Sequence, residues 1–153
     1  MPKSPQVFLP VAAILVVAGA CESVIEPPAE TIPGAIRAEI TYVSAWPPAN
    51  EFVDIRFVAM RFVPQDTTDF LQLNRLEFSN RLSYGVPSQS VVLPEVPVGA
   101  YPFAVVARQR TSDILSWEAL GIYGEDGGVI QVAAGETSMV SVEVDFNSLP
   151  EFP

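Results

Sequence analysis

Apolar and polar residues alternate over several short stretches, and this spacing limits the fold more than any other feature of the sequence. The clearest case is 139–146, in which apolar residues at every second position are separated by Ser141, Glu143 and Asp145. A strand places successive side chains on opposite faces, so this stretch predicts a strand with one face in a core. No stretch keeps a helical period, and 15 prolines also disfavour helices. The sequence therefore predicts an all-β fold.

Eight stretches carry the strand pattern. In chain order they are 36–42, 53–63, 71–82, 90–93, 101–107, 114–123, 129–132 and 139–146. The far half of the second stretch is apolar on both faces, through Val58, Met60 and Phe62. The third alternates less cleanly, and we expect a strand broken by a bulge with Leu71 and Leu73 inward.

Turn-forming residues separate these stretches at the spacing of an antiparallel sandwich. They are Pro47-Pro48, 85–87, 97–99, 124–128 and Gly135-Glu136. We expect a single antiparallel β-sandwich of about seven or eight strands over residues 34–149, followed by a short tail at 150–153.

Two segments that overlap these stretches resemble parts of a known fold. Stretch 91–101, through Pro97, Gly99 and Tyr101, resembles the Pro-x-Gly-x-Tyr hairpin of transthyretin-like and carboxypeptidase-regulatory-like sandwiches, and 130–137 is similar to their closing segment. The resemblance implies that the Pro and Gly shape a turn between two strands and that the Tyr packs beside the core. It also implies a transthyretin-like or immunoglobulin-like sandwich that serves as a spacer, adhesion or uptake-assembly module without catalysis of its own.

The first 20 residues have the features of a bacterial export signal. Lys3 precedes an apolar run, 7–17, that is too short to span a bilayer, and small residues follow it. Gly19, Ala20 and Cys21 resemble the lipobox of bacterial lipoproteins, in which the cysteine sulfur receives a diacylglycerol. That resemblance implies lipid attachment at Cys21.

The residue before this motif leaves a second outcome open. The lipobox family usually has Leu where this chain has Ala18, and Ala18 with Ala20 also forms a site for an ordinary signal peptidase. Lipidation predicts a membrane-anchored envelope protein, and Glu22 after the cysteine favours the outer membrane. Ordinary cleavage predicts a secreted or periplasmic protein. We expect residues 21–33 to comprise the cysteine, lipidated in the first of these outcomes, and a flexible tether rich in Pro and Glu.

Charge and residue usage exclude several function classes. The formal net charge is −10 at pH 7, which disfavours nucleic acid as a partner. The chain has no histidine and one cysteine, so Ser-His-Asp, Cys-His and histidine-bearing zinc sites are unavailable. Glu125 and Asp126 offer oxygen ligands for calcium, but a turn between strands explains them better. We therefore expect no enzyme, no metal and no cofactor.

Two aromatic residues are the candidate ligand-binding residues. Trp46 precedes Pro47-Pro48 at a loop, and Tyr123 lies beside Gly124. Exposed there, their rings would stack on sugars; the alternative is that Trp46 caps the core and Trp117 fills its side.

Arg108 and Arg110 share a strand face, which suits them to carboxylates either of a partner or of neighbouring strands, and we expect pairing within the molecule. We expect a structural or protein-interaction module with an envelope protein partner, and alternatively a carbohydrate-binding module that uses Trp46 and Tyr123.

Overall fold

The computed structural model describes residues 31–151, and this part of the chain is all-β, as predicted. The strands are β1 Gly34–Tyr42, β2 Asp54–Met60, β3 Leu76–Phe78, β4 Ser88–Val96, β5 Gly99–Tyr101, β6 Phe103–Gln109, β7 Trp117–Ile122, β8 Ile130–Val132 and β9 Thr137–Val144. Short 3-10 segments lie at Ala49–Glu51, Thr67–Leu71, Leu73–Arg75 and Glu125–Gly128. Between residues 31 and 151 no helix has the length and hydropathy to cross a membrane. The predicted export signal, Cys21 and most of the predicted tether lie outside the described residues.

Two sheets pack face to face around the main core. One has the order β4-β1-β9 and the other β3-β2-β6-β7, and a short β5–β8 pair lies where β1 begins. Alternate residues of β1 are buried, as the sequence predicts: Ile36, Ala38, Ile40 and Tyr42. They meet the inward residues of β2 and β6, among them Phe57 and Val106, across the sandwich. We call the end at which β1 begins the entry end, and the opposite end the far end.

One strand pair departs from the predicted antiparallel arrangement. β4 is antiparallel to β1, but β9 runs parallel to β1, with Ala35 opposite Thr137 and Tyr42 opposite Val144. The alternation along a strand fixes which side chains face inward and carries no information on strand direction. The first and last strands of the domain are therefore neighbours that point the same way.

The predicted strand 101–107 is two strands in different sheets. Tyr101 ends β5, which pairs with β8, and Phe103 begins β6, which pairs with β2 and β7. Pro102 lies between them and has no N–H to continue a ladder. This break accounts for a ninth strand where seven or eight were predicted.

The Pro-x-Gly-x-Tyr stretch is a link between sheets, and the predicted hairpin is wrong. β4 pairs with β1 whereas β5 pairs with β8, so the two strands flanking the turn do not pair with each other. Gly99 has φ of 143°, which favours glycine. Tyr101 is fully buried, as the resemblance implies, and its hydroxyl donates to the Pro97 carbonyl at 2.9 Å.

The largest error in the predicted strands is at 71–82. Residues 67–75 form two 3-10 segments, and only Leu76–Phe78 is a strand. Leu71 and Leu73, predicted to point inward, are exposed. Asp66 starts the first segment because its carboxylate accepts hydrogen bonds from the Thr68 N–H, at 2.8 Å, and from the Thr68 hydroxyl.

Candidate functional site

The four-stranded sheet is apolar on its outer face as well as on its core face. Val58 and Met60 of β2 and Val105 and Ala107 of β6 point away from the sandwich core and are nevertheless buried. Together with Phe70, Leu76, Phe103 and Ala119 they form a second hydrophobic cluster, separate from the main core. A sheet face of this kind needs a cover, and the 3-10 segments between β2 and β3 provide part of it.

Phe70 anchors that cover. Its ring stacks on Trp117 with centroids 6.4 Å apart and an interplanar angle of 17°. Local hydrogen bonds shape the segment around it: the Asp69 carboxylate accepts from the Gln65 N–H at 2.7 Å and from the Gln72 amide at 2.6 Å. The hydrogen bonds from Thr68 hold the pKa of Asp66 below its ordinary value. The cover is thus anchored by one ring, and the apolar side chains that remain exposed lie at its margin.

Beside the cover lies a groove of about 150 Å³, which we call the outer groove. Its lining is Arg56, Val58, Phe70, Leu73, Leu76, Phe78, Ile114 and Trp117. Leu73, Phe78 and Ile114 are each at least half exposed, at 60%, 50% and 55%. Contiguous exposed apolar side chains of this size mark interaction surfaces more often than single ones do.

Arg56 is the charged residue of this lining. Its Nε donates to Asp54 Oδ2 at 2.7 Å and its Nη1 to the Ser79 carbonyl at 2.9 Å. The guanidinium lies 5.6 Å from the Phe78 ring centroid. Arg81 Nε approaches the same carboxylate at 3.9 Å, so two guanidinium groups share Asp54. One side of the groove therefore carries a net positive charge.

The chemistry of the outer groove is set by its lining. Arg56 is the charged group of this lining, and the other lining residues are apolar or aromatic. Within residues 31–151 no three carboxylate, histidine or cysteine side chains cluster closely enough to hold a metal ion. What the lining supplies is apolar area, two aromatic rings on one wall and a fixed cation.

Trp46 lies at the far end, half-buried in a cluster of aromatic rings. Its centroid is 4.3 Å from Tyr42 and 4.9 Å from both Tyr84 and Phe146. The indole Nε1 donates to the Val86 carbonyl at 2.9 Å. Packing and a hydrogen bond within the molecule thus occupy much of the ring.

Tyr123 lies at the entry end and is 4% exposed. Its N–H donates to the Ala104 carbonyl, and its hydroxyl is 3.4 Å from Asp126 Oδ2. Burial, with the negative charge of Asp126 adding to it, raises its pKa. The structure does not bring Trp46 and Tyr123 together, because one lies at each end of the sandwich.

Of the two arginines expected to pair, one does. Arg108 is buried, donates to Glu118 Oε2 at 2.8 Å and lies 3.4 Å from Glu51 Oε2. Its guanidinium also sits 5.0 Å from the Phe52 ring centroid. Arg110 is exposed and has no ion pair within the described part of the chain. The expectation for Arg110 was wrong, since the residue lies just past the end of β6.

Sequence reasoning did not find the outer groove. Its signal was present in part, because Val58, Met60 and Phe62 make the second face of β2 apolar. The other contributors, Leu73 and Ile114, lie in segments far apart in the chain, which only the folded structure brings to one sheet face.

Comparison with other proteins adds no relative. The chain matches no protein-family model, and no curated protein or solved structure matches it. The resemblance to transthyretin-like and carboxypeptidase-regulatory-like sandwiches therefore stays a prediction.

Proposed function

We propose that this protein is a non-catalytic binding module of the bacterial cell envelope, which holds a partner protein in the outer groove. The observation that carries the proposal is the apolar second face of the four-stranded sheet, where the Phe70 cover leaves Leu73, Phe78 and Ile114 exposed at a groove. Apolar area of this kind is costly to leave in water and gains stability when a partner covers it.

The rest of the surface supports the same site. The outer face of the β4-β1-β9 sheet presents Glu39, Thr41, Ser141 and Glu143 to solvent, with Val92 and Met139 exposed on either side of Arg37. Most of this face is polar and well hydrated. The four-stranded sheet, whose outer face is apolar along β2 and β6, is therefore the better candidate for the binding side.

Anchoring is the second part of the proposal. Lipid on Cys21 would hold the module at a membrane, with the tether joining it at the entry end, where Ile32 and Pro33 precede β1. Trp117 begins β7 at the far end, so the outer groove lies toward the end opposite the tether.

Replacement Cys21→Ser should abolish incorporation of labelled fatty acid and release the protein from membrane pellets; retention of label would overturn the anchor.

Carbohydrate binding through Trp46 and Tyr123 stays the alternative prediction. The geometry favours the groove, because both aromatic side chains are largely engaged within the molecule and they lie at opposite ends.

Site-specific photo-crosslinking in cells tests the binding proposal. A photoreactive amino acid at Ile114 should form a discrete adduct with one protein, because the side chain lines the outer groove. The matched control position is Val92, which is 42% exposed on the other sheet and should form no such adduct. Leu73→Asp should abolish the adduct at position 114. Equal labelling at positions 114 and 92, or none at either, would overturn the proposal.

A further inference from the structure

We infer that the outer groove takes an extended segment of the partner in which an apolar side chain stands beside a carboxylate. The inference rests on the proposed function and gives the chemistry of what it binds. It follows from three properties of the site. They are its volume, the identity of its one charged residue, and the hydrogen bonds that the neighbouring carboxylates accept within their own segments.

The volume fits one large apolar side chain. An apolar cavity of about 150 Å³ accommodates a benzene-sized ring. Phe70 and Trp117 form an aromatic wall, and Leu73 and Ile114 flank the opening. A concave site with this lining selects a partner side chain such as Phe or Leu that inserts into it. A site that binds a lipid surface would instead protrude from the protein.

The positive charge at the groove favours a partner segment with a carboxylate beside its inserted apolar side chain. Arg56 and Arg81 share the single carboxylate of Asp54, which leaves one positive charge uncompensated. Arg56 uses its Nε and Nη1, and its Nη2 makes no hydrogen bond within the described residues. A carboxylate of the partner would accept a hydrogen bond from this group, and charge-assisted hydrogen bonds of this kind are the strong ones.

The acidic residues beside the groove do not neutralise that donor. Asp69 accepts hydrogen bonds from Gln65 and Gln72 within its own segment. Asp113, which precedes Ile114, accepts from the Leu115 N–H at 2.9 Å. Each of these carboxylates is turned toward its own loop, so Arg56 remains the charge that a ligand in the groove meets.

Defined peptides test this inference on the full chain carrying Cys21→Ser. The probes are three capped pentapeptides: Gly-Glu-Phe-Glu-Gly, Gly-Lys-Phe-Lys-Gly and Gly-Glu-Ala-Glu-Gly. The chain has two tryptophans, which give two indole N–H signals in a ¹⁵N NMR spectrum. Trp117 lines the groove, and Trp46, at the far-end ring cluster, serves as an internal control.

The Glu-Phe-Glu peptide should shift the Trp117 signal, leave the Trp46 signal in place and bind at least about ten times more tightly than the other two. The preference is diagnostic because a protein of net charge −10 attracts the Lys peptide by long-range electrostatics. Added salt should weaken the binding. Ile114→Asp should abolish it, and Val92→Asp should leave it unchanged.

Three results would overturn the inference. They are equal or tighter binding of the Lys peptide, no binding of any peptide, and a Trp117 shift with phosphatidylglycerol vesicles that Ile114→Asp removes. The proposed function is tested separately, by the adduct at position 114. If that adduct forms and one of these three results is also obtained, the groove binds a partner protein of different chemistry.

Discussion

At the scale of single residues, Arg108 is the charged side chain that the core of the described domain buries. Its cost of desolvation is offset by two carboxylates, Glu118 and Glu51, and by the face of Phe52. Because both carboxylates remain more than a third exposed, water still reaches them. The arginine links the segment before β2 to β6 and β7 at the far end.

Replacement Arg108→Met should lower the free energy of unfolding by about 2–3 kcal/mol, less than for a fully buried pair because water can rehydrate the carboxylates. Denaturant titration measures this. The matched control is Arg110→Met, two positions along, which should change the free energy by less than about 0.5 kcal/mol. Equal effects of the two substitutions would show that the ion pairs contribute nothing.

Tyr42 gives the fold a dependence on alkaline pH. Burial raises the pKa of its hydroxyl from 10.0 to about 12, against the opposing effect of the hydrogen bond from Gln89. The unfolded chain therefore releases this proton at a lower pH than the folded chain. The contribution to stability is complete below pH 10 and is lost as pH rises from 10 through 12.

Replacement Tyr42→Phe should flatten the fall of unfolding free energy between pH 10 and 12. Urea titrations of both proteins across that window measure how steeply the free energy of unfolding falls with pH. A urea titration of each protein at pH 8 measures separately the cost of losing the Gln89 hydrogen bond, which is 2.7 Å long. Parallel slopes for the two proteins would contradict the assignment.

At the scale of elements, the Thr67–Leu71 segment depends on one side chain. Phe70 is the buried residue of this segment, and its neighbour Leu71 is 46% exposed. Phe70→Ala should cost about 3 kcal/mol because it opens a cavity against Trp117, and it should expose residues 62–75 to proteases. Leu71→Ala is the matched control and should cost less than about 0.5 kcal/mol. Similar losses for the two variants would mean that the cover is held by its backbone and not by the ring.

The same elements show how far local sequence patterns reach. β1 and β9 were predicted with the correct inward residues, because alternation of apolar and polar side chains is a property of each strand alone. The 71–82 stretch failed because Leu71 and Leu73 fit an alternating pattern, whereas the hydrogen bonds at Asp66 start a 3-10 turn just before them. The groove was missed for a different reason, since Leu73 and Ile114 meet only through the pairing of distant strands.

At the scale of the whole molecule, the two sheets approach each other closely where β7 lies against β9. A side chain at Gly121 would overlap the carbonyl oxygen of Glu143. Only glycine allows the two backbones to lie so near each other, and this contact closes one side of the sandwich.

Replacement Gly121→Ala should cost about 2 kcal/mol or more, because backbone on the neighbouring strand cannot move aside as a flexible side chain would. Gly124→Ala, with open space around the added carbon, is the control and should leave the melting temperature almost unchanged. A small effect at both positions would show that β7 and β9 can separate without loss.

The parallel pairing of β1 with β9 has a mechanical consequence. The chain enters β1 at the entry end and leaves β9 at the far end, with the whole length of both strands in register between them. Tension applied between Pro33 and Asp145 would act along this ladder in shear, so that its evenly spaced hydrogen bonds share the load instead of opening one after another. A domain pulled from one side by the proposed tether and from the other by the proposed partner would resist through its first and last strands.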